Sequence, residues 1–124
     1  MSIRNVFDVI DIHAKGDPVV GISIAKLLGD ESTNYYASRL PPDTKINPHY
    51  HREGHEVYLI LEGSGIIHTW LPGEEMKQSC RVERGAIFNI PPGVIHQLEN
   101  DSSDTLVLVF SCHPSHLGDD RVLG

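Results

Sequence analysis

Residues 49–56 read HYHREGHE, which places three histidines and two glutamates in eight positions. Imidazole nitrogens and carboxylate oxygens are the donors that borderline divalent cations take from a protein. In an extended strand residues two apart share a face, so His49 and His51 present both rings to one side while Tyr50 turns away. Two imidazoles buried side by side without an ion are costly, which sets this pair apart from an ordinary polar loop. Farther along, PPGVIH sets His96 just after a Pro-Pro-Gly turn, with Val94 and Leu98 on its face. That apolar company points His96 into a core, where an imidazole needs a partner. A hydrogen bond would satisfy it; so would an ion shared with His49 and His51.

The elements that must position these groups read as strands. Eleven glycines and eight prolines fall between short apolar or alternating runs, and do not gather in one linker. Strands are predicted over Val6 to Ile12, Ile22 to Leu27, Tyr35 to Leu40, Ile46 to His51, Glu56 to Leu61, Ile66 to Leu71, Ser79 to Glu83, Ala86 to Ile90, Val94 to Glu99 and Thr105 to Ser111. The turn signals PPD, GSG, LPGEE, ERG, PPG and NDSSD join them. SIAKLLGD is the one stretch that could form a short helix, ending at Gly29. Many short strands with tight turns make an all-β antiparallel sandwich or barrel. Glu56 to Leu61 and TLVLVF at 105–110 are apolar on both faces, so their outer side is covered either by a terminal segment or by a second subunit. A homodimer is the expectation.

The 124 residues make one domain, with a short tail over 113–124. A net charge of −7 with no basic run leaves nucleic acid and anionic membrane surfaces without a recognition element. MSIRNVFDVIDIH breaks its apolar residues with Arg4, Asn5, Asp8 and Asp11, so it is no signal peptide or membrane helix, and a cytoplasmic location is expected. Cys80 and Cys112 lack C-x-x-C spacing and read as two reduced thiols. No G-x-S-x-G or phosphate-binding glycine loop is present. CHPSH at 112–116 follows the last strand and reads as tail, in spite of its soft donors. His68 shares a strand face with Trp70, and with Tyr36, Arg39 and Tyr58 it forms a set of candidate pocket residues.

Two stretches resemble the cupin motifs. HYHREGHEVYLILEG, residues 49–63, fits G-x5-H-x-H-x(3,4)-E-x6-G in its histidines, in Glu56 and in Gly63, with Asp43 standing where the pattern opens with glycine. GAIFNIPPGVIHQLEN, residues 85–100, fits G-x5-P-x-G-x2-H-x3-N at Gly85, Pro91, Gly93, His96 and Asn100. The resemblance implies a double-stranded β-helix, or jelly roll, holding one divalent transition metal (Fe, Mn, Ni, Co, Cu or Zn) on His49, His51, Glu56 and His96. A strand running straight through residue 55 would instead bring in His55, as in small cupins with four histidine ligands. Gly54 argues for a break that resets the alternation in favour of Glu56. Such a site implies a metal-dependent enzyme, a dioxygenase or a Lewis-acid isomerase or lyase, acting on a small oxygenated molecule; the alternative is a non-catalytic cupin that binds a sugar or metabolite.

Overall fold

The computed structural model describes residues 1–124. The chain opens with one helix, α1 (Val6–His13), followed by β1 (Lys15–Asp17), β2 (Ile22–Gly29) and β3 (Asn34–Leu40). Short β4 (Thr44–Lys45) and β5 (His49–Tyr50) lead into β6 (Glu56–Glu62), β7 (Ser64–Trp70), β8 (Gln78–Glu83) and β9 (Ile87–Ile90). Strands β10 (Ile95–Asn100) and β11 (Leu106–Cys112), a 3-10 turn (Pro114–Leu117) and β12 (Val122–Leu123) complete the chain. All pairings are antiparallel, in one sheet ordered β1-β2-β3-β11-β6-β9 and another ordered β12-β5-β10-β7-β8, with β4 also on β10. The expected jelly roll is present.

The core lies between the sheets. Leu40, Tyr58, Ile60, Leu106, Leu108 and Phe110 from the first meet Ile67, Val82 and Leu98 from the second. Along β6 the period of two buries Glu56, Tyr58 and Ile60 and turns Val57 outward.

The first predicted strand is instead α1. Asn5 accepts from the backbone N–H groups of Phe7 and Asp8, capping the first turn, and Val6, Val9 and Ile10 recur at helical spacing. Val9 and Ile10 pack on Ala25, Leu27, Ala37 and Val107, the outer face of β2, β3 and β11. Burial of that stripe outweighs the strand preference of its β-branched residues. A terminal segment thus covers the apolar outer side of β11, so this surface no longer calls for a second subunit. SIAKLLGD is strand from Ser23 to Gly29, as part of β2. The run from Ile46 to His51 is broken at Pro48, which has no N–H to donate, and only His49 and Tyr50 are paired as strand.

Turn chemistry sets the approach to the barrel. Asp43 has φ of 55°, the left-handed conformation that glycine adopts at no cost and that Asp tolerates better than most residues. The substitution at the opening of the first motif thus keeps the turn. Asn100, which ends the second motif, is fully buried. Its Nδ2 lies 2.8–3.2 Å from the carbonyls of Leu40, Pro41 and Asp104, and its Oδ1 accepts from the N–H and hydroxyl of Ser102. It ties the ends of β3 and β10 to the turn before β11. Asn100→Ala is expected to destabilise the fold by about 3 kcal/mol, the sum of an unpartnered carbonyl and lost bonds, read from the urea midpoint.

Candidate metal centre

His49 and His96 face each other across the β5–β10 pair, with ring centroids 4.3 Å apart. His51, two residues on, points to the same side. At Gly54, φ is 77°, and the chain turns over residues 52–55 before β6 begins. The turn resets the alternation, so Glu56 and not His55 enters the barrel. Glu56 Oε2 lies 2.8 Å from His51 Nε2 and 3.2 Å from His96 Nε2. All four residues are at most 5% exposed, and their donor atoms lie within 4.8 Å of one another. His55 is exposed, with Nδ1 3.0 Å from Asn89 Oδ1, and takes no part in the cluster.

A carbonyl oxygen only accepts, so the ring nitrogen that meets one must carry the proton. His49 Nδ1 donates to Asn47 O at 2.9 Å, His51 Nδ1 to Asp120 O at 2.6 Å and His96 Nδ1 to Val94 O at 3.1 Å. Each ring is thereby fixed with its Nε2 lone pair turned toward Glu56. His51 Nε2, His96 Nε2 and Glu56 Oε2 are buried and have no hydrogen-bond partner, although the two nitrogens lie 2.8 and 3.2 Å from the oxygen. Acceptors facing acceptors at this range need a positive charge among them. A divalent cation fits this donor set.

Burial favours the neutral acid of Glu56, but His116, His51 and His96, when a proton lies on the nitrogens that face it, outweigh burial and hold the carboxyl well below its ordinary range; a cation in the same place would act in the same direction. Burial first, and then the neighbouring His96, lowers His49 to about 4, so its ring is neutral and free to ligate at neutral pH. Burial and then Glu56 push the Tyr58 phenol well up, leaving it protonated.

His116, read from sequence as tail, is fully buried in this centre. Its ring stacks on His51 at 4.0 Å, its Nε2 donates to Glu53 O at 2.6 Å, and its Nδ1 lies 3.9 Å from Glu56 Oε1. Its place after the last long strand concealed it; Leu117 and the Val122–Leu123 pair were the signal that this segment packs. Asp120 accepts from Arg52 N and Glu53 N, Arg121 pairs with Asp17 at 2.6 Å, and β12 pairs with β5. Residues 113–124 therefore strap the mouth of the barrel. Beneath the strap His49, His51, Glu56, Tyr58, His116 and Arg121 help to line a cavity of about 20 Å³, room for a single water or an ion.

Of the other candidate pocket residues, only Tyr58 reaches this cavity. Tyr36 is packed against Phe110 in the barrel wall at 5.2 Å. Arg39 lies on the opposite strand face and pairs with Asp11 at 2.7 Å, beside α1. His68 lies outside the barrel, bound to Ser79 Oγ and Glu99 Oε1, because β7 buries Gly65 and Ile67 on the alternate face.

A histidine held below its ordinary 6.5 refuses a proton that the unfolded chain accepts, so its contribution to stability is complete above 6.5 and is lost as pH falls toward 4. The metal-free protein should therefore lose on the order of 3 kcal/mol over this window through His49. Urea midpoints at pH 6.5 and 4.5, compared between wild type and His49→Gln, check it: the variant's midpoint should fall less.

Residues 26–121 match the family model described as Cupin. A protein of unassigned function from Methanocaldococcus jannaschii, MJ1618, is 30% identical over 81 residues, which cover 65% of this chain and 60% of that one. A Klebsiella pneumoniae protein with a double-stranded β-helix domain superposes with a TM-score of 0.76 at 17% identity, over 100% of this chain and 97% of the other. A variant of the Bacillus subtilis oxalate decarboxylase OxdC gives 0.71 at 14% identity, over 93% of this chain and 30% of that longer one. The buried His/Glu cluster sits in a barrel of the same fold, and the chain belongs to the cupin family.

Proposed function

We propose that this protein is a mononuclear metal-dependent cupin that holds one divalent transition ion on His49, His51, Glu56 and His96 and acts on a small oxygenated organic molecule. The observation that carries the reading is the convergence of the three fixed Nε2 lone pairs on one buried carboxylate. Three imidazoles and a carboxylate leave one or two positions open on a five- or six-coordinate ion, where a closed structural zinc site would ordinarily use thiolates. Bound there, the ion would supply Lewis acidity or a centre for gathering substrate and O₂. Around it the protein's own groups have separable tasks. The backbone carbonyls fix the ligand rings, and Tyr58 keeps its phenolic proton beside the cavity.

With the strap docked the cavity admits no organic molecule, so a substrate enters only when residues 113–124 lift. The same closure weighs against storage of a sugar or metabolite in this state, which makes the non-catalytic ligand-binding cupin the second reading. Two free cysteines, one of them exposed at Cys80, support a reducing, cytoplasmic location. No helix is long and apolar enough to cross a membrane. Exposed Ile87 on the edge strand β9 and Val57 on the neighbouring strand β6 support a homodimer built through that edge. Sedimentation should give twice the chain mass at micromolar protein; a monomer would remove this assignment.

Protein purified without added metal is expected to carry about one transition-metal ion per chain by elemental analysis, as a mononuclear cupin site requires. The ion should be lost from His51→Ala and from His96→Ala and retained in His55→Ala. Undiminished metal in the first two variants would exclude the site. O₂ consumption across diketones, catechols and thiols then separates an oxygenase from Lewis-acid chemistry, and no turnover with any metal-loaded sample favours the binding reading.

A further inference from the structure

Two buried groups beside the centre have no task in that reading. Cys112 ends β11 with its side chain inside the barrel, 3% exposed, and His116 is fully buried on the 3-10 turn. The thiol sulfur, an imidazole nitrogen and a Glu56 oxygen lie within 4.8 Å of one another. In the neutral ring His116 Nε2 gives its proton to Glu53 O and Nδ1 carries the lone pair; Nδ1 has no hydrogen-bond partner. It faces Glu56 Oε1, whereas His51 and His96 face Oε2. The carboxylate therefore presents one oxygen to each of two neighbouring donor groups. A thiolate with an imidazole is a softer set than three imidazoles, and it selects a different class of ion.

We propose that Cys112, His116 and Glu56 Oε1 form a second cation subsite, for a thiophilic ion such as Cu(I), Zn(II) or Cd(II), sharing the Glu56 carboxylate with the three-histidine site. The inference rests on the proposed function only through that shared carboxylate, because Cys112 and His116 are not ligands of the first ion. Binding is a proton exchange. Burial and the Glu56 carboxylate keep the Cys112 thiol protonated in the metal-free chain, so a metal–sulfur bond forms as the S–H bond breaks, and one proton leaves to solvent for each ion bound. The sulfur is not oxidised and no other reactant is required. The subsite is reached under the same strap as the first, since His116 belongs to it.

Anaerobic titration of metal-free protein with cobalt(II) tests the subsite, because a cobalt–thiolate bond gives a near-ultraviolet charge-transfer band that imidazole and carboxylate ligands do not. In wild type a first equivalent should bind without this band, and a second should bring it in with release of a proton. Cys112→Ser should abolish the band and the second equivalent while keeping the first, and His116→Ala should weaken the second at least tenfold. His49→Ala should lose the first equivalent and keep the band, so failure of the three-histidine site is told apart from failure of this one. Saturation of wild type at one equivalent with no thiolate band overturns the proposal, as does a band that survives Cys112→Ser and disappears in Cys80→Ser.

Discussion

The centre of this molecule depends on a single buried carboxylate surrounded by lone pairs. Four imidazoles converge on Glu56, and each spends its ring N–H on a backbone carbonyl: Asn47, Asp120, Val94 and Glu53 for His49, His51, His96 and His116. The backbone thus decides which nitrogen of every ring faces inward, and it does so with groups that no side-chain substitution removes. The remaining nitrogens repel one another and Glu56 unless a cation or a proton lies among them. With a proton or a cation among those nitrogens, Glu56 stays ionised against the cost of burial. A barrel interior that elsewhere is filled by Leu, Ile and Phe is in this one place built to be incomplete by itself.

That requirement explains features distant from the cluster. β5 is only two residues long, yet it must hold His49 opposite His96, and it is held from both sides, by β10 and by β12. Asp120 has three acceptor atoms in use: its backbone carbonyl orients His51, and its two carboxylate oxygens cap the N–H groups of Arg52 and Glu53 in the turn that resets the strand before Glu56. One residue of the strap therefore fixes both a ring and the phase of the following strand. The C-terminal strap belongs to the centre as much as the motif strands do.

Much of this was legible because the fold imposes period two. His49 and His51 could be placed on one face, His96 assigned inward from Val94 and Leu98, and Gly54 read as a break, since each inference needed only local geometry. The errors share a physical origin. Val6 to Ile12 carries residues that suit strand and helix alike, and the choice was made by the Asn5 cap together with the apolar surface of β2, β3 and β11, which lies far away in sequence. His68 and Arg39 have the chemistry of pocket residues, but sidedness in a closed barrel depends on the phase of a strand, and Gly65 and Ile67 took the inner positions of β7. His116 was hidden because no periodicity governs a 3-10 turn; only the tertiary return of the tail to Pro48 and His49 brings it inside.

The strap also links access to ligand geometry. To admit anything larger than water, Leu117 and Arg121 must leave the cavity mouth, and the Asp17–Arg121 pair, which is 15% and 9% exposed, must separate. These are polar contacts, a two-residue strand pairing, the Leu117 contact and the buried His116 stack, fewer in sum than the apolar seam that joins the sheets, so the strap is the part expected to open first. Opening nevertheless removes the acceptor from His51 Nδ1 and the stacking partner from its ring. A bound ion, by holding His51 from the other side, would keep the ring in place when the strap leaves, and the metal-free site would not. Ion affinity and strap docking are for this reason two readings of one free energy, and whatever lifts the strap without an ion present also loosens the ligand that would receive one.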